Sequence, residues 1–184
     1  MKTALLNLII VLFLGLNYSA PKSKKELPDA PEGYSWNDLS DINAHIIKPD
    51  GWFFNAEKSG NTFAYFVTKE DYTKDPNGMF STGLSLNVMT NLKTTNAVDY
   101  ANKFVAQLEK DNKVLFIEDY KYSPYIGKTI RLQNQTQIIQ YLVFGNKKTN
   151  KLYVLYFEST IEEWEQNKEI GKTLMSYLIF DPKF

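Results

Sequence analysis

The chain of 184 residues has the length of one ordinary domain, and its 43% hydrophobic and 15% aromatic residues suffice for a packed core. Its 21 basic residues balance 21 acidic residues, which argues against nucleic-acid binding because that function needs a basic surface. Cysteine is absent, so disulfides, thiolate nucleophiles and thiolate metal sites are excluded together.

The first twenty residues have the pattern of a secretory signal peptide. Lys2 supplies a positive amino-terminal region, residues 4–16 form an apolar run, and the small residues Ser19 and Ala20 follow. The run is shorter than the roughly 20 apolar residues that span a bilayer, so a cleaved signal peptide is favoured over a signal anchor. A buried amino-terminal helix is the remaining alternative. We therefore expect export to the periplasm, the envelope or the extracellular space.

Residues 21–33 are charged, contain three prolines and lack hydrophobic periodicity, so they predict a flexible linker. The domain is expected at residues 34–184, and its first half is predicted to consist mainly of strands. Apolar runs at residues 45–48 and 63–68 indicate two of them. Strict alternation at residues 84–89 predicts a third strand, with one buried face and one exposed face.

Residues 96–111 predict the first helix, because apolar residues recur with helical spacing and Asn96 is a suitable N-cap. Strands are expected at residues 114–120 and 128–132, separated by a turn-rich loop at residues 122–127. These two strands are expected to follow the first helix and to belong to the sheet.

Two longer apolar runs, at residues 138–144 and 152–157, are rich in β-branched and aromatic residues and flank a polar turn. They predict a β-hairpin whose strands are covered on both faces and therefore lie centrally in the sheet. Thr160 and Glu163 have the spacing of a capping box, which predicts that the second helix begins at Ile161.

Runs of strands interrupted by two helices favour the α+β class. The doubly apolar hairpin requires cover on both faces, so we expect an α/β/α sandwich with a largely antiparallel central sheet flanked by helices. Neither an internal repeat nor a second domain is indicated.

Few residues suit catalysis. His45 is the only histidine, and no nucleophile motif accompanies it. Glu118 and Asp119 are adjacent in a predicted strand, so their side chains point to opposite faces and cannot form a facing acid–base pair. A hydrolase that uses His45 with these carboxylates is the enzymatic alternative, but we expect no catalytic residue.

No cofactor or metal site is predicted either. The segment at residues 73–84 lacks the ligand pattern of a calcium loop, because Thr73 opens it and Leu84 replaces the glutamate that closes such loops. A weak oxygen-ligated ion at Asp71 and Asp75 is the alternative to a plain turn at this place.

Tyr120, Tyr122 and Tyr125 form the densest aromatic group outside the predicted strand core. Exposed tyrosines are common at recognition surfaces, so this group is the candidate partner surface. The alternative is that the three rings pack over the sheet as part of the core.

Three patches of the chain are similar to the PsbP-like family: residues 46–52, residues 82–88, and residues 151–159 followed by Glu162, Glu163 and Trp164. The fold of that family is shared by a Ran-binding nuclear import factor and by exported bacterial proteins of the DcrB type. The resemblance implies an antiparallel sheet between helices and a non-enzymatic accessory or binding role. It carries over no photosystem-docking residue.

The sequence therefore leads to an exported, non-enzymatic binding or assembly-support domain. Its expected partner is a protein of the envelope or the cell exterior, and nucleic acid is not expected. Contact with a membrane is expected only if the leader is retained.

Overall fold

The computed structural model describes residues 27–92 and 95–180, and the predicted leader at residues 1–20 lies outside them. Within these residues two helices accompany a seven-stranded sheet and a three-stranded sheet. The helices are α1 (Ala97–Asp111) and α2 (Trp164–Ser176). The strands are β1 (Tyr34–Leu39), β2 (Ala44–Pro49), β3 (Phe53–Ser59), β4 (Thr62–Thr68), β5 (Gly83–Met89), β6 (Lys113–Tyr122), β7 (Tyr125–Gln133), β8 (Gln137–Asn146), β9 (Lys151–Thr160) and β10 (Ile179–Phe180).

The large sheet has the strand order β3-β4-β5-β9-β8-β7-β6, and all its neighbouring strands are antiparallel. The predicted hairpin is confirmed, because β8 and β9 pair from Gln137 opposite Thr160 to Asn146 opposite Lys151. Strand β9 is the middle strand of the seven, which explains why its residues are apolar on both faces. The predicted α+β class is confirmed.

Helix α1 covers one face of the large sheet. Asn96 accepts a hydrogen bond from the Val98 amide (2.8 Å), so the predicted N-cap is confirmed. Ala101 and Val105 are buried against β7, β8 and β9, as their helical spacing predicts.

The opposite face is covered by α2 together with the small sheet, whose order is β1-β2-β10. The sequence did not indicate that these strands form a sheet of their own. Leu39, Ile46 and Ile47 of the small sheet join Leu174 of α2 in one core with the large sheet. The fold is therefore an α/β/α sandwich in which a second, smaller sheet completes one outer layer.

Helix α2 begins at Trp164, and its predicted start at Ile161 is wrong by one turn. The Glu163 amide donates to Thr160 Oγ1 (3.3 Å), which is half of the predicted capping box. The Glu163 carboxylate instead accepts hydrogen bonds from Lys69 Nζ (3.1 Å) and Asn167 Nδ2 (3.3 Å). Because Lys69, distant in sequence, and Asn167, one turn further along α2, hold the carboxylate, it does not close the box.

Strand β5 is buried on both faces, so the predicted exposed face is wrong. Ser85 is fully buried between Phe66 and Tyr156, its neighbours in the register on either side. The large aromatic residues of the adjacent strands cover a face that local alternation alone marks as polar.

The turn predicted at residues 122–127 is present but shorter than expected, because Tyr122 pairs directly with Tyr125 and only Ser123 and Pro124 connect the strands. Tyrosine has a high propensity for β-strands, so the two strands of the hairpin extend as far as Tyr122 and Tyr125.

Residues 28–33, in the predicted linker, contact the domain. Trp36 Nε1 donates to the Pro28 carbonyl (2.8 Å), the Asp50 amide donates to the Gly33 carbonyl (2.8 Å), and Ala30 packs against the core. In the described part of the chain, neither helix has the length and apolar composition needed to cross a membrane.

Candidate functional site

Strand β6 forms one edge of the large sheet, and β7 is its only strand neighbour in the part of the chain that the structure describes. Helix α1 packs mainly on β8 and β7, and α2 packs mainly on β9, so β6 lies beyond the main cover of both. Val114, Leu115, Phe116 and Ile117 are therefore between 38% and 43% exposed, and Tyr122 is 70% exposed. Five of the eight large exposed hydrophobic residues in the described regions lie on this strand.

The backbone of β6 is also open on its outer side. The register with β7 shifts between Val114 and Phe116, which places a β-bulge at Leu115. Because no strand of residues 27–92 or 95–180 lies beyond β6, its outward N–H and C=O groups have no partner in a β-ladder of these residues. This edge combines apolar side chains with main-chain groups that can pair with another strand.

A groove lies beside this edge, on the face of the sheet that carries α2. Gly171 lets α2 approach β9 closely, because a Cβ at that position would overlap the Phe157 ring. The helix therefore sits over the middle of the sheet, and the same face of β8, β7 and β6 stays open beside it. Tyr120, Leu142 and Met175 line the middle of the groove.

One end of the groove carries polar and charged side chains among apolar ones and encloses about 420 Å³. Arg131 Nε donates to Gln140 Oε1 (2.8 Å), and Gln140 Nε2 donates to Thr129 Oγ1 (2.9 Å). The Arg131 guanidinium lies 5.5 Å from the centre of the Trp164 ring, which is the distance of a cation–π contact. Lys168, Lys172 and Glu169 also line this end, so cations outnumber carboxylates there.

The other end is aromatic and encloses about 360 Å³. Tyr125 meets Phe144 edge-on at 5.3 Å between ring centres, and Phe180 lies 6.2 Å from both rings. Burial and the nearby Tyr122 raise the pKa of the Tyr120 phenol, so its hydroxyl stays neutral in this apolar surrounding.

The three predicted tyrosines line this aromatic end together, but they differ in exposure. Tyr125 is only 8% exposed and belongs to the core, Tyr120 is half-buried, and Tyr122 is 70% exposed. Of the three, only Tyr122 therefore has most of its side-chain surface exposed. The group is partly core and partly open surface, and its role as a partner surface stays a prediction.

The residues of the enzymatic alternative lie on different sheets. His45 is on β2 of the small sheet, where its Nδ1 lies 3.6 Å from Asp38 Oδ1 of the neighbouring strand. Glu118 is exposed on β6. Asp119 binds Lys121 Nζ (2.9 Å) and Lys128 Nζ (3.1 Å), and hydrogen bonds to these lysines lower its pKa. These residues do not converge on one site.

Asp71 and Asp75 are engaged within their own turn. Asp71 pairs with Lys74 Nζ (2.9 Å) and accepts a hydrogen bond from Thr73 (2.6 Å), and these contacts lower its pKa. Asp75 Oδ1 accepts from the amides of Asn77 (2.8 Å) and Met79 (3.2 Å). Across residues 27–92 and 95–180, no three histidine, aspartate or glutamate side chains group as metal ligands.

Sequence reasoning missed Arg131 and Gln140, which form the polar end of the groove. One signal was present, because Arg131 is the only arginine in the chain. It also missed Glu158 on β9, whose pKa burial raises to about 7 although a hydrogen bond with Gln137 lowers it. No local pattern marks this residue, because its burial is produced by neighbouring strands.

No protein-family model and no curated protein sequence matches the chain. Solved structures do. The solution structure of cyanobacterial PsbP from Synechocystis sp. PCC 6803 is 13% identical, with 84% of this chain and 99% of that chain covered and a TM-score of 0.47. The Ran-binding protein Mog1p of Saccharomyces cerevisiae is 9% identical, with 80% and 95% covered and a TM-score of 0.48.

A Pseudomonas aeruginosa protein of unknown function is 13% identical, with 81% of this chain and 98% of that chain covered and a TM-score of 0.42. The chain is thus similar to PsbP and Mog1p structures, as the three sequence patches predict. This likeness concerns the arrangement of strands and helices. It assigns no role to a residue of this chain.

Proposed function

We propose that this protein is an exported, non-enzymatic binding domain that holds an extended segment of a partner protein along β6. The observation that carries the proposal is the concentration of exposed apolar residues on an edge strand. An added strand would pair with the open backbone of β6 and cover its apolar side chains at the same time.

The pattern of exposure supports an extended partner. Leu115, Phe116 and Ile117 are consecutive, so side chains on both faces of the sheet are exposed along the same stretch. A helix docked on one face would cover only part of this surface. A strand added in the plane of the sheet places its own side chains beside both faces.

Two features favour a partner protein over a second copy of this chain. A symmetric pair of β6 edges would carry two bulges at Leu115, one from each copy, and both would interrupt the same ladder. The nearby carboxylate of Asp119 is already neutralised by Lys121 and Lys128. It is therefore poorly placed to attract a lysine of a second β6 strand.

The predicted surface of Tyr120, Tyr122 and Tyr125 supplies the specificity in this proposal. Tyr122 ends β6 on the groove side, where an added strand would pass beside its exposed ring. Rings of this kind combine a large apolar area with a polar tip, which suits a mixed recognition surface. The partner is expected to place an apolar side chain against Tyr122.

Export is the second part of the proposal, and the signal-peptide pattern of residues 1–20 supports it. Amino-terminal sequencing of the native protein is the direct measurement. A new amino terminus after Ala20 is expected. An intact Met1 on the mature protein would contradict a cleaved leader and favour the signal anchor.

Binding is tested with a photoreactive phenylalanine at position 116 of the full chain, made in its native host, and with the same group at position 53. Phe116 lies on β6, and Phe53 is a comparably exposed phenylalanine on the opposite edge. We expect one defined adduct from position 116 and none from position 53. Adducts of equal yield at both positions, or an adduct only with a second copy of the chain, would overturn the proposal.

A second variant connects the adduct to strand addition. Ile117→Lys should reduce its yield at least tenfold, whereas Phe53→Lys should leave it unchanged. With the partner then purified, amide hydrogen exchange in β6 should slow on binding, because its outward amides gain hydrogen bonds. An adduct that survives Ile117→Lys without protection of β6 would contradict strand addition.

A further inference from the structure

The charged side chains of the groove beside α2 are confined to one of its ends. Its cationic end and its aromatic end share Tyr120, Leu142 and Met175, so the two enclosures of about 420 Å³ and 360 Å³ adjoin. Arg131 and Tyr125 mark the two ends on β7 and lie six residues apart, which corresponds to about 20 Å of strand. The groove is thus an elongated site with a cationic end and an uncharged aromatic end.

Arg131 is the one cation of the groove that lacks a carboxylate partner in the described chain. Lys168 pairs with Glu165, and Lys172 pairs with Glu169 (3.7 Å). Arg131 binds only the neutral Gln140 and the face of Trp164. Its terminal amino groups make no ion pair with a described residue.

A half-buried and uncompensated guanidinium attracts an anion, and its planar fork suits the two oxygens of a carboxylate. Gln140 supports this geometry, because it accepts from Arg131 Nε and donates to Thr129. The side chain is therefore held by its own network, with its outer nitrogens left for a ligand. The Trp164 ring covers one face of the Arg131 guanidinium and limits the access of water to that face.

The aromatic end favours an apolar chain over a second polar group. Phe144, Leu178 and Phe180 line it together with the three tyrosines. In this enclosure the described residues provide no charged side chain. An apolar body buried here would gain the hydrophobic free energy of each methylene removed from water.

We propose that the groove binds a free monocarboxylic acid with an unbranched apolar chain, with the carboxylate on Arg131 and the chain toward Phe144 and Phe180. The single uncompensated cation matches one negative charge, and the confinement of charge to one end matches a charged head followed by an uncharged tail. This inference goes beyond strand addition at β6 and depends on different residues.

The test is isothermal titration of the full chain with dodecanoate below its micelle-forming concentration. We expect saturable binding of one molecule per chain, and an affinity that rises roughly fourfold for each methylene from octanoate to dodecanoate. The uncharged methyl ester of the same acid should bind at least tenfold more weakly, because it cannot pair with the guanidinium. Equal binding of acid and ester would overturn the proposal, and this comparison needs no variant.

Variants locate the site. Arg131→Gln should weaken dodecanoate binding at least tenfold, and Arg131→Lys should weaken it less because the charge remains while the fork is lost. Lys103→Gln on the exposed side of α1 is the matched control and should leave the affinity unchanged. An unchanged affinity in folded Arg131→Gln, or binding only to vesicles of anionic phospholipid, would overturn it. Either outcome leaves the Ile117→Lys test of strand addition unaffected.

Discussion

The two edge strands of the large sheet, β3 and β6, differ in length and in the kind of side chain that they expose. Strand β3 has seven residues, and its exposed part includes the charged side chains of Glu57 and Lys58. Strand β6 has ten residues, and its exposed part is the apolar run of residues 114–117. Short, charged edge strands resist pairing with other chains, whereas long apolar ones invite it. This contrast is the reason for proposing β6, and not β3, as the edge that binds a partner.

The two edges also differ in their cover. Near β3, the segment after β4 folds back, so that Tyr72 donates to Glu57 Oε1 (3.0 Å) and packs against Phe66 (5.3 Å between ring centres). Its hydrogen bond and its burial raise the pKa of the Tyr72 phenol to about 12, burial being the larger cause. No comparable described segment folds over β6, and both helices pack mainly on strands closer to the middle. The difference therefore lies in tertiary cover as well as in sequence.

The largest expected loss of stability comes from a substitution at the close contact between β7 and β8, and its control lies on the β3 edge. At Gly127 of β7, an added Cβ would overlap the Val143 carbonyl of β8. Because β8 is also paired with β9, its backbone cannot withdraw freely, and Gly127→Ala should lower the free energy of unfolding by about 3 kcal/mol. Ala56→Val on exposed β3 is the control and should change it by less than about 0.5 kcal/mol. Chemical denaturation measures both, and equal losses would break the comparison.

Glu158 of β9 lies between the two edges and should make stability pH-dependent. Burial raises the pKa of Glu158 to about 7, from an ordinary value of 4.5. Between these values the folded state binds more protons than the unfolded state, so stability falls as pH rises through this window. Glu158→Gln removes this fall. The free energy of unfolding of the variant, measured relative to that of wild type, should therefore rise by roughly 2–3 kcal/mol between pH 4 and pH 8.

The measurement is a series of denaturation curves across that range of pH. Glu118→Gln, at an exposed position on β6, is the control and should show no such relative gain. A difference between Glu158→Gln and wild type that stays constant with pH would show that Glu158 does not titrate in this window.

Replacing the N-cap of α1 tests how much this cap contributes to stability. Helix α1 packs mainly on β7 and β8. Asn96→Ala removes the bond to the Val98 amide and should cost about 1 kcal/mol of stability. Asn112, just beyond the other end of α1, donates to the Leu108 carbonyl (3.0 Å), and Asn112→Ala should cost less because no N-terminal amide loses its partner. Thermal denaturation ranks the two variants, and the reverse order would contradict the assigned cap.

The smallest stability effect should come from the edges themselves. Ile117→Lys on β6 and Phe53→Lys on β3 replace side chains that are 39% and 38% exposed, so each should change stability by less than about 1 kcal/mol. Only Ile117→Lys should lower the binding of a hydrophobic dye, because it interrupts a contiguous apolar surface. Equal dye binding by both variants would show that the β6 surface is not special.

Local patterns predicted most of the strands and both helices. Asn96 caps α1 because its side chain reaches an amide two residues away, and such short-range chemistry is visible in sequence. Glu163 shows the limit of this reasoning. Its spacing from Thr160 predicts a closed capping box, but Lys69, distant in sequence, binds the carboxylate instead.

The candidate sites were less predictable than the fold. The tyrosines were found as a local group, and they do line one enclosure, yet Tyr125 is buried and Tyr122 is exposed although they are opposite neighbours in one hairpin. The apolar run of residues 114–117 indicates a strand equally well at the edge or in the middle of a sheet. Only the strand order shows that it lies at an edge.

The sequence by itself determined the α+β class, the central hairpin and the expectation of cover on both faces, because periodicity and capping act over a few residues. The tertiary structure alone decided which strand is left at the edge, where α2 sits, and that Arg131 lacks a carboxylate partner among the described residues. These features depend on contacts between residues far apart in the chain. Whether a strand such as β6 is core or recognition surface follows from what packs beside it.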